Sequence, residues 1–282
     1  MKERRVIMVK NTEVAFTSTE DAPLLFLVRM ASRRSGIWDG IWDRLGEKFT
    51  VANFELELNE KTALDDPRAL FSCHADMAAM VADHLGYCGF HMIGWNGGAH
   101  IGLFTAFRYP RRLQSCILLG PFRELPDMRS VEKGLEFMRV MMSQPDRKLY
   151  AYYWYMMGLS GLYIDTRFDS IESMASRRAE NDRFIHLNIQ RKMEWARALR
   201  KNWLSETELA SIRVPVLLIA TGLDKWGAGP NVAMAKELQR LLPGSELEVI
   251  SDHGSLTLVE DPEPFLSIVS RFYDRTASYR KV

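Results

Sequence analysis

"HMIGWNGGAH", residues 91–100, begins as an apolar strand, turns through a cluster of glycines and continues as a helix. "GFHMIG" (89–94) supplies the strand, and "GAHIGLFTAFRYP" supplies the helix, which ends before Pro110. Gly94, Gly97 and Gly98 surround a single polar side chain, Asn96. A turn this tight forces its central residue toward positive φ. Glycine accepts that freely, and asparagine is among the few other residues enriched there.

Working outward, the same alternation recurs on both sides. "PLLFLV" (23–28) is a dense apolar run suited to a strand buried on both faces. "IWDGIWDRLGEKF" carries Ile37, Trp38, Ile41, Trp42 and Leu45 at helical spacing. "TVANFEL" (50–56) reads as a strand, "HADMAAMVADHLG" (74–86) as a helix stopped by Gly86, and "LQSCILLGP" (113–121) as a further strand. Strands then give way to helical patterns from about residue 123 to 205: "SVEKGLEFMRVMM", "RKLYAYYWYMMG" and "RFIHLNIQRKMEWARALRKNW". Alternation resumes with "VPVLLIATG" (214–222), "NVAMAKELQRLLPG" and "LEVI" (247–250), and closes on the helix "DPEPFLSIVSRFY". Strands alternating with helices predict a mostly parallel sheet with helices on both faces. The predicted organisation is an α/β core, 1–122 and 206–282, interrupted by a helical insert, 123–205.

The chain has 282 residues, 47% hydrophobic and 26% charged, an ordinary balance for a globular protein. Its formal charge is +1, from 37 basic and 36 acidic side chains, so no basic footprint for nucleic acid is present. Cys73, Cys88 and Cys116 lack metal-ligand spacing, and no metal is expected. Reduced thiols suggest a cytoplasmic protein. The four-residue apolar run in "MKERRVIMVKNTE" is too short for a signal peptide, and no run approaches the ~20 residues of a membrane span.

The order of "PLLFLV", "GWNGG", "RYPRRLQSCILLGP", "VPVLLIATGLD" and "LVEDPEPF" resembles the α/β-hydrolase superfamily over nearly the whole chain. The resemblance implies an eight-stranded, mostly parallel sheet with a helical cap after the sixth strand. It also implies a G-x-nucleophile-x-G elbow, in which Gly94, Asn96 and Gly98 hold the matching positions. Asn96 stands where the family has its nucleophile. The histidine column, reached by counting from Ile250 and back from Glu260 and Pro262, holds Ser255. The acid column keeps a carboxylate, Asp224. Val28 and Arg29 replace the usual His-Gly of the oxyanion loop. Backbone N–H groups near Arg29 or Met30 are expected to pair with that of Gly97.

Three departures in one pocket argue against serine hydrolysis, since losing one triad member costs on the order of 10⁴ to 10⁶ in rate. Two substitute bases are candidates: His253, two residues before Ser255, and His100, one helical turn beyond Asn96. Trp95 and Trp226 are candidate cavity walls, and the methionine- and aromatic-rich insert is a candidate lid over an apolar pocket. The reading is a cofactor-free, non-hydrolytic enzyme (cyclase, lyase or isomerase) acting on a small hydrophobic, aromatic or polyketide-like molecule. Two alternatives stand beside it: an inactive pseudoenzyme that binds a small molecule or partner, and a weak, atypical esterase or thioesterase. No membrane partner is expected.

Overall fold

The structure is a computed structural model that describes residues 3–29, 37–54, 66–124, 132–133, 136–137, 140, 204–223 and 231–278. The insert, 123–205, lies almost wholly outside the described residues. So do Met30, Asp224 and Trp226.

Eight strands form one sheet in the order β1-β2-β4-β3-β5-β6-β7-β8. They are β1 (Arg5–Val9), β2 (Thr12–Thr17), β3 (Leu24–Arg29), β4 (Thr50–Phe54), β5 (Phe90–Trp95), β6 (Leu113–Leu119), β7 (Val216–Thr221) and β8 (Glu246–Ile250). β1 and β2 pair antiparallel, as do β2 and β4; every other neighbouring pair is parallel. The predicted mostly parallel eight-stranded sheet is present. The hairpin of β1 and β2 has no sequence reading behind it. Lys10, at φ 52°, turns it within two residues, a conformation that a lysine does not announce.

The helices are α1 (Asp39–Leu45), α2 (Pro67–His84), α3 (Gly97–Arg108), α4 (Glu206–Ser211), α5 (Asn231–Leu241), α6 (Thr257–Glu260) and α7 (Glu263–Ser278). α2 starts seven residues before the predicted 74. Asp66 caps it by accepting from the N–H groups of Arg68 and Ala69, with Pro67 in the first turn. Ser205 and Glu208 form a reciprocal capping box that starts α4.

Two apolar layers sandwich the sheet. One joins even-numbered β3 and β5 residues (Leu24, Phe26, Phe90, Met92) to α2 and α3. The other joins the odd-numbered ones (Leu25, Leu27, Ile93, Trp95) to α1, α6 and α7. The period-two alternation of a strand divides those residues between the layers, so the central strands are apolar on both faces. β3, β5, β6, β7 and β8 run parallel, so their C-terminal ends share one edge. Arg29, Asn96, Gly120, Gly222 and the loop after Ile250 meet there.

Candidate functional site at the strand-to-helix elbow

Asn96 follows the last residue of β5 and precedes the first of α3. Its N–H donates to the Leu119 carbonyl at 2.9 Å, and its own carbonyl accepts from Ala99 N–H at 2.8 Å. The glycines around it are steric requirements. A Cβ on Gly94 would overlap the Gly98 carbonyl, and a Cβ on Gly98 would overlap the Val28 carbonyl. One turn further, a Cβ on Gly102 would lie 2.6 Å from Cys116 Sγ and 2.8 Å from Leu118 Cδ2. Helix α3 therefore rests directly on β3 and β6 through a row of hydrogen-sized side chains.

Asn96 sits at φ 50°, ψ −111°. The positive φ was legible in sequence; the ψ was not. Asparagine is tolerated in the left-handed region near ψ +45°. The observed pair is instead that of the first central residue of a type II′ turn, a position that belongs to glycine. Asn96 therefore does not relax the elbow. It holds a strained conformation that costs about 1–3 kcal/mol. Its amide does not cap α3 and, among the described residues, makes no hydrogen bond. The side chain is half-buried.

The strand order, the glycine-enforced elbow after β5 and the antiparallel β2 decide the architecture. The chain has the α/β-hydrolase fold. Solved structures agree. A serine hydrolase from the polyaromatic-hydrocarbon-degrading bacterium Cycloclasticus zankles superposes with a TM-score of 0.75 at 19% identity, over 96% of this chain and 98% of that one. A carboxylesterase from Bacillus subtilis gives 0.67 at 19% identity over 97% and 92%. An enol-lactonase from Burkholderia xenovorans gives 0.69 at 15% identity over 96% and 100%. No family model matches the sequence, and no curated protein matches it significantly.

Of the remaining expected positions, Arg29, Gly97, His253 and Ser255 lie among the described residues. Arg29 ends β3 in register with Trp95, and its guanidinium stacks 4.3 Å from the Trp95 ring centroid. Trp95 is buried, so this cation–π contact holds a positive charge beside the elbow. The Arg29 Cα lies 3.2 Å from the position of a Cβ on Gly98, which places the start of α3 against it. Gly97, first residue of that helix, presents a backbone N–H with no intrahelical acceptor to satisfy it.

The loop after β8 is tied to the loop after β7. Gly222 N–H donates to Ile250 O at 2.9 Å and Leu223 N–H to His253 O at 3.0 Å. Gly222 has no room for a Cβ, which would overlap the Ser251 carbonyl. Ser255, the residue expected in the histidine column, is buried, and among the described residues its hydroxyl makes no hydrogen bond; the Thr221 hydroxyl at the end of β7 is in the same condition. His253 is half-buried, with Nδ1 2.6 Å from Thr257 Oγ1. Among the described residues this hydroxyl is the hydrogen-bond partner of the ring.

Two contributors were not read as site residues in sequence. Thr257 lies four residues beyond His253, a helical spacing hidden inside a loop. Glu260 Oε1 accepts from Gly254 N–H at 2.8 Å and braces the loop that carries Ser255.

His100 takes a different position. Gly98 and Gly102 mark the sheet-facing side of α3, and His100 lies midway between them on the turn, so it projects away from the sheet. Its ring packs edge-on against Phe71 of α2 (5.6 Å) and Phe122 (4.5 Å). It is fully buried, and among the described residues neither ring nitrogen makes a hydrogen bond of good geometry. Desolvation pulls its pKa down to about 3, with the Arg123 charge adding to the drop and the Phe122 backbone opposing it. The imidazole is therefore neutral at physiological pH. Among the described residues no cluster of three or more metal-ligating side chains occurs, and no helix is long and apolar enough to cross a membrane.

Proposed function

We propose that the protein is a cofactor-free, non-hydrolytic enzyme of the cyclase, lyase or isomerase kind, acting on a small hydrophobic molecule held above the elbow. The supporting observation is Asn96: a strained, glycine-type backbone conformation kept for a side chain whose amide has no partner among the described residues. A purely structural elbow would be served better by glycine. In this reading the Asn96 amide and the Gly97 N–H donate to a substrate oxygen as negative charge develops on it. His253, oriented through Thr257, moves the proton by way of Nε2. Asp224 and the lid belong to the same proposal through their family columns. The similar structures include an esterase and a lactonase by name. Hydrolysis on this site would need water as the attacking group, because Asn96 has no hydroxyl.

Two measurements test the reading. Wild-type protein should turn over activated acyl esters negligibly and resist labelling by fluorophosphonates. The pair Asn96→Ser with Ser255→His should gain measurable esterase activity. A kinetic burst of wild type with an ester would sink the proposal by exposing another nucleophile.

Asn96→Gly separates anchor from scaffold. Relief of the strain, less the larger chain entropy of unfolded glycine, should raise stability by about 0.5–2 kcal/mol in urea unfolding. The same variant should retain less of any copurifying small molecule, by about 0.5–1.5 kcal/mol of binding. Unchanged ligand retention in the variant would assign Asn96 to the scaffold and favour an inactive binding protein.

A further inference from the structure

At the opposite edge of the sheet, a crevice of about 180 Å³ opens between the end of α1 and α7. Phe49 and Tyr273 form its aromatic side, with ring centroids 4.8 Å apart, and Leu45, Leu266 and Val269 supply aliphatic walls. These residues lie at the N-terminal ends of the parallel strands: Phe49 directly precedes β4. Behind the two rings stands His91, the second residue of β5. Five residues of strand separate His91 from Asn96, about 17 Å at the usual rise. The crevice is therefore remote from the elbow.

The polar groups here have no part in the elbow chemistry. His91 Nδ1 lies 2.7 Å from Ser115 Oγ, and Ser115 is fully buried. The Tyr273 hydroxyl is buried beside that pair; burial pushes its pKa up, and an interaction with Ser115 works against the rise. At the rim, Arg44 is engaged by both carboxylate oxygens of Glu263, at 2.7 and 3.4 Å, and Glu47 also lines the opening. Lys48 donates to Ser270 Oγ at 3.2 Å and stands 3.8 Å from Asp274. An ammonium has three donors, so Lys48 can serve a further acceptor at the mouth.

We propose that this crevice is a second small-molecule site, distinct from the elbow, for a flat monoaromatic carboxylate. The volume suits it: an apolar cavity of about 150 Å³ takes one benzene ring, and 180 Å³ leaves room for one more small group. The ring packs on Phe49 and Tyr273, and the carboxylate meets Lys48 and the Ser270 hydroxyl. A ring seated against Tyr273 also bears on the His91–Ser115 pair behind it, which makes the His91 imidazole a reporter.

Benzoate is the probe. With about nine non-hydrogen atoms it should bind the full chain with Kd of about 1 mM. Bound benzoate should shift the His91 imidazole signals and the backbone amides of Lys48, Phe49 and Ser270 in NMR. Lys48→Gln should weaken binding about threefold, and benzyl alcohol should bind wild type and this variant alike. Ser270→Trp, a change at a half-buried surface position, should fill the crevice and abolish the shifts. Asn96→Gly should leave them unchanged, so a failed elbow reading and a failed crevice reading give different results. The proposal is overturned if saturating benzoate shifts only residues around Asn96. It is equally overturned if natively folded Ser270→Trp still binds, or if about 20 mM benzoate shifts nothing, ten or more times the Kd expected for a ligand this size.

Discussion

Lowering the pH from 7 to 5 should destabilise the protein by about 4 kcal/mol, and two buried histidines account for it. His74 and His100 are both fully buried, with pKa values pulled by desolvation to about 4 and about 3 from the usual 6.5. Nδ1 of His74 lies 2.9 Å from Leu70 O, a contact that opposes the shift without cancelling it. Because both folded-state values are depressed, the unfolded chain binds more protons in the window between. The stabilisation is present in full above about pH 6.5 and is lost as pH falls toward 4 and 3. Linkage gives about 2 kcal/mol per histidine at pH 5 and about 3 each at pH 4. Whole-domain stability is about 5–15 kcal/mol, so acid unfolding should set in around pH 4–5. The Arg68–Glu208 pair acts in the same direction but later, because hydrogen bonds from Arg68 hold the Glu208 carboxyl down at about 2. His100→Leu should flatten the curve: urea midpoints at pH 7 stay equal or rise, and the loss by pH 5 halves. An unchanged pH slope in that variant would show that His100 is not a buried neutral imidazole.

Gly98→Ala should prevent native folding. Its Cβ would overlap the Val28 carbonyl oxygen, and the next contacts, the Val28 carbonyl carbon at 2.7 Å and Arg29 Cα at 3.2 Å, are also backbone. No rotamer change relieves an overlap with backbone, so α3 would have to lift off β3. That would expose the Phe26, Ala99 and Leu103 layer between them. A core loss of this kind exceeds about 4 kcal/mol, the range of exceptional single substitutions. Gly244→Ala is the control. It also removes a glycine, at φ 80°, but nothing lies within 4 Å of the added methyl. Its cost should stay at about 1–2 kcal/mol from the left-handed backbone alone. Comparable thermal midpoints for the two variants would contradict the close approach of α3 to β3.

The fold was legible because its signals are local. Runs such as "PLLFLV" and "VPVLLIATG" are apolar on both faces, which only a covered parallel strand requires, and "GWNGG" joins such a run to a helical pattern through residue types that tolerate positive φ. Elements with weaker local signals were missed or shortened: the hairpin turned by Lys10, and the first two turns of α2, whose cap and proline precede the periodic stretch.

At the site, sequence alone placed Asn96 at the strand-to-helix elbow, because the apolar run, the glycines and the helical pattern around it are contiguous in the chain. It also determined that Asn96 would have positive φ. Tertiary structure alone decided that ψ falls at −111°, since this angle depends on how closely α3 is pressed onto β3 and β6 by Gly98 and Gly102. It turned His100 toward Phe71 and Phe122, gave His253 a hydroxyl partner in Thr257, and made Glu260 the brace of the Ser255 loop. Each of these depends on desolvation or on a contact between segments that pack from different elements, and no local periodicity encodes such a contact.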